Sequence, residues 1–175
     1  MSNTINTDVA VKLDITARRN DTFKMLLEVK DPTDDSLMNL SEAQSGGTLP
    51  KYQAKMSIVN SSGDRVLTLY SYEWEDIIPT TDNLTHPENI KPEASSEGHY
   101  SGGSDVTSCI NLENQDGTAG SKVSIIAPYD YMDFQSGEYM YDLQIRFKST
   151  STTATPEYTT WLYGEFSLRP DITQL

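Results

Sequence analysis

In one stretch of this chain Tyr139, Tyr141, Leu143, Ile145 and Phe147 alternate with Met140, Asp142, Gln144 and Arg146. A strand sends successive side chains to opposite faces, so strict alternation gives one apolar and one polar face; a helix would need apolar residues three and four apart. The same period of two recurs at Val9, Val11, Leu13 and Ile15, at Phe23, Met25, Leu27 and Val29, and at Tyr52, Ala54, Met56 and Ile58. Helical periodicity is almost absent. The parity predicts that Phe23, Leu27, Met56, Leu143 and Ile145 are buried. Leu26 breaks the alternation and is expected to face a second layer.

The interruptions between these runs are turn signals. Arg18-Arg19-Asn20-Asp21 separates the first two strands, and Asp31-Pro32 ends the second, because proline cannot donate to a ladder. Asn60-Ser61-Ser62-Gly63-Asp64 predicts a turn, with Arg65–Tyr72 returning as the second arm of a hairpin. Further strands are expected at Val106–Leu112, with Val106, Ser108, Ile110 and Leu112 on one face, at Lys122–Ala127 and at Thr159–Leu168. Pro128 to Phe134 reads as a helical turn, and Arg169-Pro170-Asp171 ends the last strand. A polar loop spans about 32–50. Residues of about 73–105 hold no sustained pattern and are punctuated by Pro79, Pro87 and Pro92. About eight strands joined by polar turns predict an all-β chain, a single antiparallel sandwich or barrel with two long loops. One domain spans residues 1–175, with the long irregular insertion inside it.

Charge narrows the partners. The formal net charge is −13, with 26 acids against 13 bases. A nucleic-acid surface needs Lys and Arg to displace counterions, and an anionic membrane would repel this chain. Neither partner is expected; the charge favours solubility or a basic protein partner. The opening residues MSNTINTDVAVKLD lack the basic start and apolar run of a signal peptide, and no stretch reads as a membrane-spanning helix. The single Cys109 excludes an internal disulfide, so folding in a reducing cytoplasm is expected. The triplets beginning at Asn20, Asn39, Asn60 and Asn83 are read as chance products of a Ser/Thr-rich chain.

Catalytic chemistry finds little footing. His86 and His99 are the only histidines, and a metal there would need Asp82, Glu88, Glu97 or Cys109 as well. Their spacing matches no zinc or metalloprotease motif. Cys109, beside Thr107 and Asn111 on the less apolar parity, reads as an inert strand-surface thiol. The carboxylate pairs Asp34-Asp35, Glu75-Asp76 and Asp130 with Asp133 read as solvated acids rather than a glycosidase pair. A calcium site at Asp31, Asp34 and Asp35 would lack the Gly and terminal Glu of an EF-hand loop. No Gly-rich phosphate loop follows a strand. No catalytic residue, metal or cofactor is assigned.

Four segments share a pattern. They are Asp14–Asp31 (DITARRNDTFKMLLEVKD), Lys51–Leu69 (KYQAKMSIVNSSGDRVLTL), Ser136–Phe147 (SGEYMYDLQIRF) and Thr159–Thr173 (TTWLYGEFSLRPDIT). Their order resembles a family of small tailed-phage structural domains, similar to the N-terminal domain of siphophage upper baseplate proteins and to virion proteins of large marine phages. The shared features are "R-x-D-[ST]-F" opening a strand, a hairpin, "G-x-Y-x-Y-D-L-Q", and a last strand with a Gly-flanked aromatic before Pro-Asp. The segments from about 73 to 105 have no counterpart. The resemblance implies an immunoglobulin-like β-sandwich without enzymatic activity, made in the host cytoplasm and assembled in the virion with copies of itself or other virion proteins. Tail, neck or baseplate is the expected place. A capsid decoration or head-fibre protein, or a carbohydrate- or receptor-binding module of the tail, are the alternatives.

Two features stand out as interface candidates. Trp161 and Tyr163 share the parity opposite Leu162 and Phe166, which predicts large aromatics on an outer face, where such residues anchor subunit contacts. The competing reading is a bulge near Gly164 that turns all of them inward. The long loop is too polar to bury much surface alone, and is expected to clamp a neighbour through Trp74, Ile77, Ile78, Leu84 and Tyr100.

Overall fold

The computed structural model describes residues 3–6, 10–30, 38–40, 45–46, 51–71, 100–102, 105–107, 109–113, 122–150 and 155–171. All regular structure among them is strand: β1 (Asn3–Asn6), β2 (Val11–Lys12), β3 (Ile15–Arg18), β4 (Phe23–Lys30), β5 (Tyr52–Val59), β6 (Arg65–Tyr70), β7 (Tyr100–Gly102), β8 (Asp105–Thr107), β9 (Ile110–Glu113), β10 (Lys122–Ala127), β11 (Gly137–Phe147) and β12 (Glu157–Arg169). The expected all-β class holds.

One sheet has the order β1-β4-β10-β9. The other runs β2-β12-β11-β5-β6, with β3 also on β12, and β7 pairs with β8 separately. Alternation decides how the two large sheets meet. Leu27 and Val29 of β4, Val123 and Ile125 of β10, and Ile110 of β9 are buried against Met56 and Ile58 of β5, Leu143 and Ile145 of β11, and Leu162, Phe166 and Leu168 of β12. They form one apolar cluster between two layers, a sandwich. Of the five residues expected inside, Leu27, Met56, Leu143 and Ile145 are buried. Phe23 is half-buried, its ring edge-on to Phe166 with centroids 5.6 Å apart.

Several expectations need correction. The sheets are not purely antiparallel: β1 runs parallel to β4, and β2 and β3 run parallel to β12. The first predicted strand is split at Leu13-Asp14, and Val106–Leu112 divides into β8 and β9, which raises the strand count. Leu26 faces no second layer. It is 44% exposed on the outer face of its sheet, opposite Ser124, because its neighbours Met25 and Leu27 already occupy the inner parity. Cys109 is buried rather than at the surface: it precedes β9, its carbonyl accepts from the Ile126 amide of β10 at 2.8 Å, and it joins the core cluster. The stretch of about 73–105 includes the strand β7; its residues 73–99, 103 and 104 lie outside the described ones. The polar loop of about 32–50 delivers Leu40 into the core.

The turns follow from side-chain chemistry. The carbonyl oxygen of the Asn60 side chain accepts hydrogen bonds from the Ser62 and Asp64 amides, both at 2.9 Å, and Gly63 takes φ +86°. Asn20 adopts φ 61°, a left-handed conformation that asparagine tolerates better than most residues, where the chain crosses from β3 to β4. From Pro128 the chain makes successive turns, with the Tyr131 and Met132 amides bonded to the Pro128 and Tyr129 carbonyls.

Candidate assembly surface

The expected outer aromatic pair is divided by a bulge. Leu143 of β11 faces Leu162 of β12, but the next residue, Gln144, faces Thr160. Trp161 is therefore the extra residue. Two residues opposing one turn the local chain, and Trp161 is 3% exposed within the core cluster beside the equally buried Leu162. The outward placement of Trp161 is thus overturned. The bulge lies before Gly164 and does not carry Tyr163 inward; Tyr163 is 43% exposed. Trp74, Ile77, Ile78 and Leu84 lie outside the described residues, and Tyr100 lies on β7. The histidines and the carboxylates Asp31, Asp34, Asp35, Glu75, Asp76, Asp82, Glu88 and Glu97 also lie outside them.

Sequence reasoning missed a second exposed apolar side chain. Met140 is 48% exposed on the same outer face as Tyr163, one step along on the neighbouring strand: Tyr163 faces Asp142, and Met140 faces Glu165. Its signal was present in the alternation, as a large apolar residue on the polar parity of β11. Lys12 of β2 sits in register with Tyr163 on its other side.

Beneath Tyr163 the sheet is held by a compact clamp. Gly164 lets the Leu13-Asp14 backbone approach β12: a Cβ there would lie 2.3 Å from the Leu13 carbonyl oxygen. The Leu13 amide donates to the Tyr163 carbonyl at 2.9 Å, the Tyr141 hydroxyl to the Leu13 carbonyl at 2.6 Å, and the Glu165 amide to Asp14 Oδ1 at 3.0 Å. Asp14 also pairs with Lys12 at 3.5 Å. These bonds explain why one strand appears as two, since Asp14 replaces a ladder carbonyl with its own carboxylate.

Electrostatics follow the same contacts. The Glu165 amide holds the Asp14 carboxyl below its usual range; desolvation opposes it, and Lys12 adds to the lowering. Burial, helped by the Asp14 charge, pushes the Tyr141 hydroxyl up. Burial raises Asp142, with Lys55 and Arg65 pulling the other way. The two aspartates therefore act oppositely on stability. A lowered Asp14 stabilises the fold above the ordinary aspartate value, and that contribution disappears as pH falls through its folded pKa. Asp142 costs stability when ionised, and the cost is relieved on acidification. Asp14→Asn keeps the acceptor and removes the charge, so its denaturation midpoint should fall below wild type near pH 7 and converge with it only as pH drops below the ordinary aspartate range. An unchanged gap across that range would contradict the assignment.

The remaining carboxylate expectation divides. Asp133 is not simply solvated: Arg19 Nε donates to its Oδ1 at 3.0 Å, tying the β3–β4 crossing to the turns before β11. On the outer face at the far end of β11, Arg146 is buried and donates to the Gln53 side-chain carbonyl. Arg146 stands on the polar parity, so its burial is another departure from simple alternation.

No protein-family model and no curated protein matches this chain.

Proposed function

We propose that the chain is a non-enzymatic structural protein of a tailed-phage particle, an immunoglobulin-like sandwich that joins its neighbours in the tail, neck or baseplate. One observation carries this reading: five residues of the shared phage pattern, Arg19, Phe23, Tyr139, Tyr141 and Gly164, hold the framework. Arg19 of the R-x-D-[ST]-F run pairs with Asp133, and Phe23 packs on Phe166. Tyr139 and Tyr141 of the G-x-Y-x-Y-D-L-Q run bond the Gln135 and Leu13 carbonyls, and Gly164 beside Tyr163 admits the Leu13 backbone. Residues placed at strand ends and crossings suit a scaffold whose work is assembly.

Two further features support the immunoglobulin-like part. Sheet order β4-β10-β9 against β12-β11-β5-β6, with an N-terminal strand along the last one, matches that sandwich's division of strands. The Tyr139 hydroxyl bonded to a carbonyl four residues upstream, at the start of β11, has the form of a tyrosine corner.

The test is proteomic and structural. Gradient-purified particles of the encoding phage should contain the chain at a fixed ratio to the major virion proteins, and a particle map should place its two sheets in the tail, neck or baseplate. A chain abundant in infected lysate but missing from particles would overturn the reading. Density on the capsid surface, or glycan binding by the isolated protein, would replace it with one of the alternatives above.

A further inference from the structure

We infer that the exposed outer face of β11 and β12, centred on Tyr163 and Met140, is a self-association surface whose occupant is the same face of a second copy. The inference concerns the isolated chain and does not depend on the virion reading.

Leu162, Gly164, Phe166, Tyr141 and Leu143 fill the inner parity of β12 and β11, which sends Tyr163, Glu165, Met140 and Asp142 to the other side. Tyr163 and Met140 are both more than two-fifths exposed and lie diagonally across adjacent strands. A tyrosine and a methionine side by side on a sheet give an apolar centre of the type that anchors protein contacts.

Charge then identifies the occupant. Around this centre lie Lys12, in register with Tyr163, and Lys55 and Arg65, both of which act on Asp142. Facing them are the carboxylates Asp14, Asp142 and Glu165. With the Glu138–Arg169 pair beside Met140 and Glu165 on the same face, four cations against four anions make this patch locally neutral on a chain of net charge −13. Two copies brought together elsewhere would set acid against acid. Across a two-fold axis this patch instead opposes mixed charges to mixed charges, so a cation of one copy can meet a carboxylate of the other. A basic partner would be drawn to the acidic remainder of the surface, whereas a balanced, apolar-centred patch suits its own copy.

Sedimentation of the purified chain over a concentration series tests this directly. A monomer–dimer equilibrium is expected below about 100 µM. Met140→Asp and Tyr163→Asp should each weaken it at least about tenfold, since the two-fold places every substitution in the interface twice. Tyr129→Asp, at an exposed tyrosine in the turns between β10 and β11, should leave it unchanged. Tyr163→Cys, a milder change, should give a disulfide-linked dimer under oxidation, and Tyr129→Cys should not. A chain monomeric at that concentration, a dimer indifferent to the Met140 and Tyr163 variants, or equal cross-linking from both cysteine positions would overturn the inference. Particle composition tests the virion reading separately, so either can fail alone.

Discussion

Leu143→Ala should lower the free energy of unfolding by about 2–5 kcal/mol, the range for truncating a fully buried leucine in a core that relaxes only partly. Leu143 has no exposed surface and lies at the centre of β11, opposite Leu162 on one side and Met56 on the other. Its loss leaves a void between the two layers that neither neighbouring strand can close, because both are fixed by their ladders. Urea denaturation of the two proteins measures the difference. A loss below about 0.5 kcal/mol, the scale of an ordinary surface substitution, would show that the inner parity of β11 is misassigned.

Gly164→Ala should be comparably damaging for a different reason. The added carbon would stand 2.3 Å from the Leu13 carbonyl oxygen and 2.9 Å from both the Leu13 carbonyl carbon and an Asp14 carboxylate oxygen. The obstacle includes backbone, so no rotamer change relieves it. The Leu13-Asp14 segment must move away from β12, at about 1–3 kcal/mol for the overpacking. Each of the three hydrogen bonds centred there that is released adds about 1 kcal/mol. Hydrogen exchange gives the sharper readout: the Leu13 and Glu165 amides should lose protection while those in the β5–β11 ladder keep theirs. A variant as stable as wild type with both amides protected would show that the N-terminal segment can withdraw without cost.

Alternation made most of this fold legible because β4, β10 and most of β11 and β12 bury chiefly one face, although β5 and β6 are covered on both. Phe23–Val29, Tyr52–Ile58 and Tyr139–Phe147 were readable as strands, and Lys122–Ala127 coincides with β10. Strand direction was not readable, since parallel and antiparallel edges present the same side-chain period; the parallel placement of β2 and β3 depends on long-range partners. Trp161 shows a second limit. Parity assumes an unbroken ladder, and one extra residue opposite Leu143 and Gln144 reverses the inference for a single side chain while leaving Tyr163 outside. Arg146 shows a third: its polar parity was evident, but burial on an outer face depends on what lies over it, which local sequence does not encode. At the candidate surface, Tyr163 could be found from alternation alone. Met140 could have been found by the same rule applied to the polar face.

The parallel seam between the N-terminal segment and β12 has a mechanical consequence. Leu162 and Tyr163 pair with β2, and Phe166 to Arg169 with β3, all running in one direction. Tension applied at the start of β2 and the end of β12 pulls these strands in opposite senses along their length. The hydrogen bonds of the seam are then loaded together in shear, rather than one after another as in a peeled hairpin. Forced rupture is governed by the unfolding barrier rather than by equilibrium stability, so a domain of ordinary thermodynamic stability gains resistance along this one axis. The Leu13-Asp14 clamp sits midway along that seam, where it must break before either strand can slide.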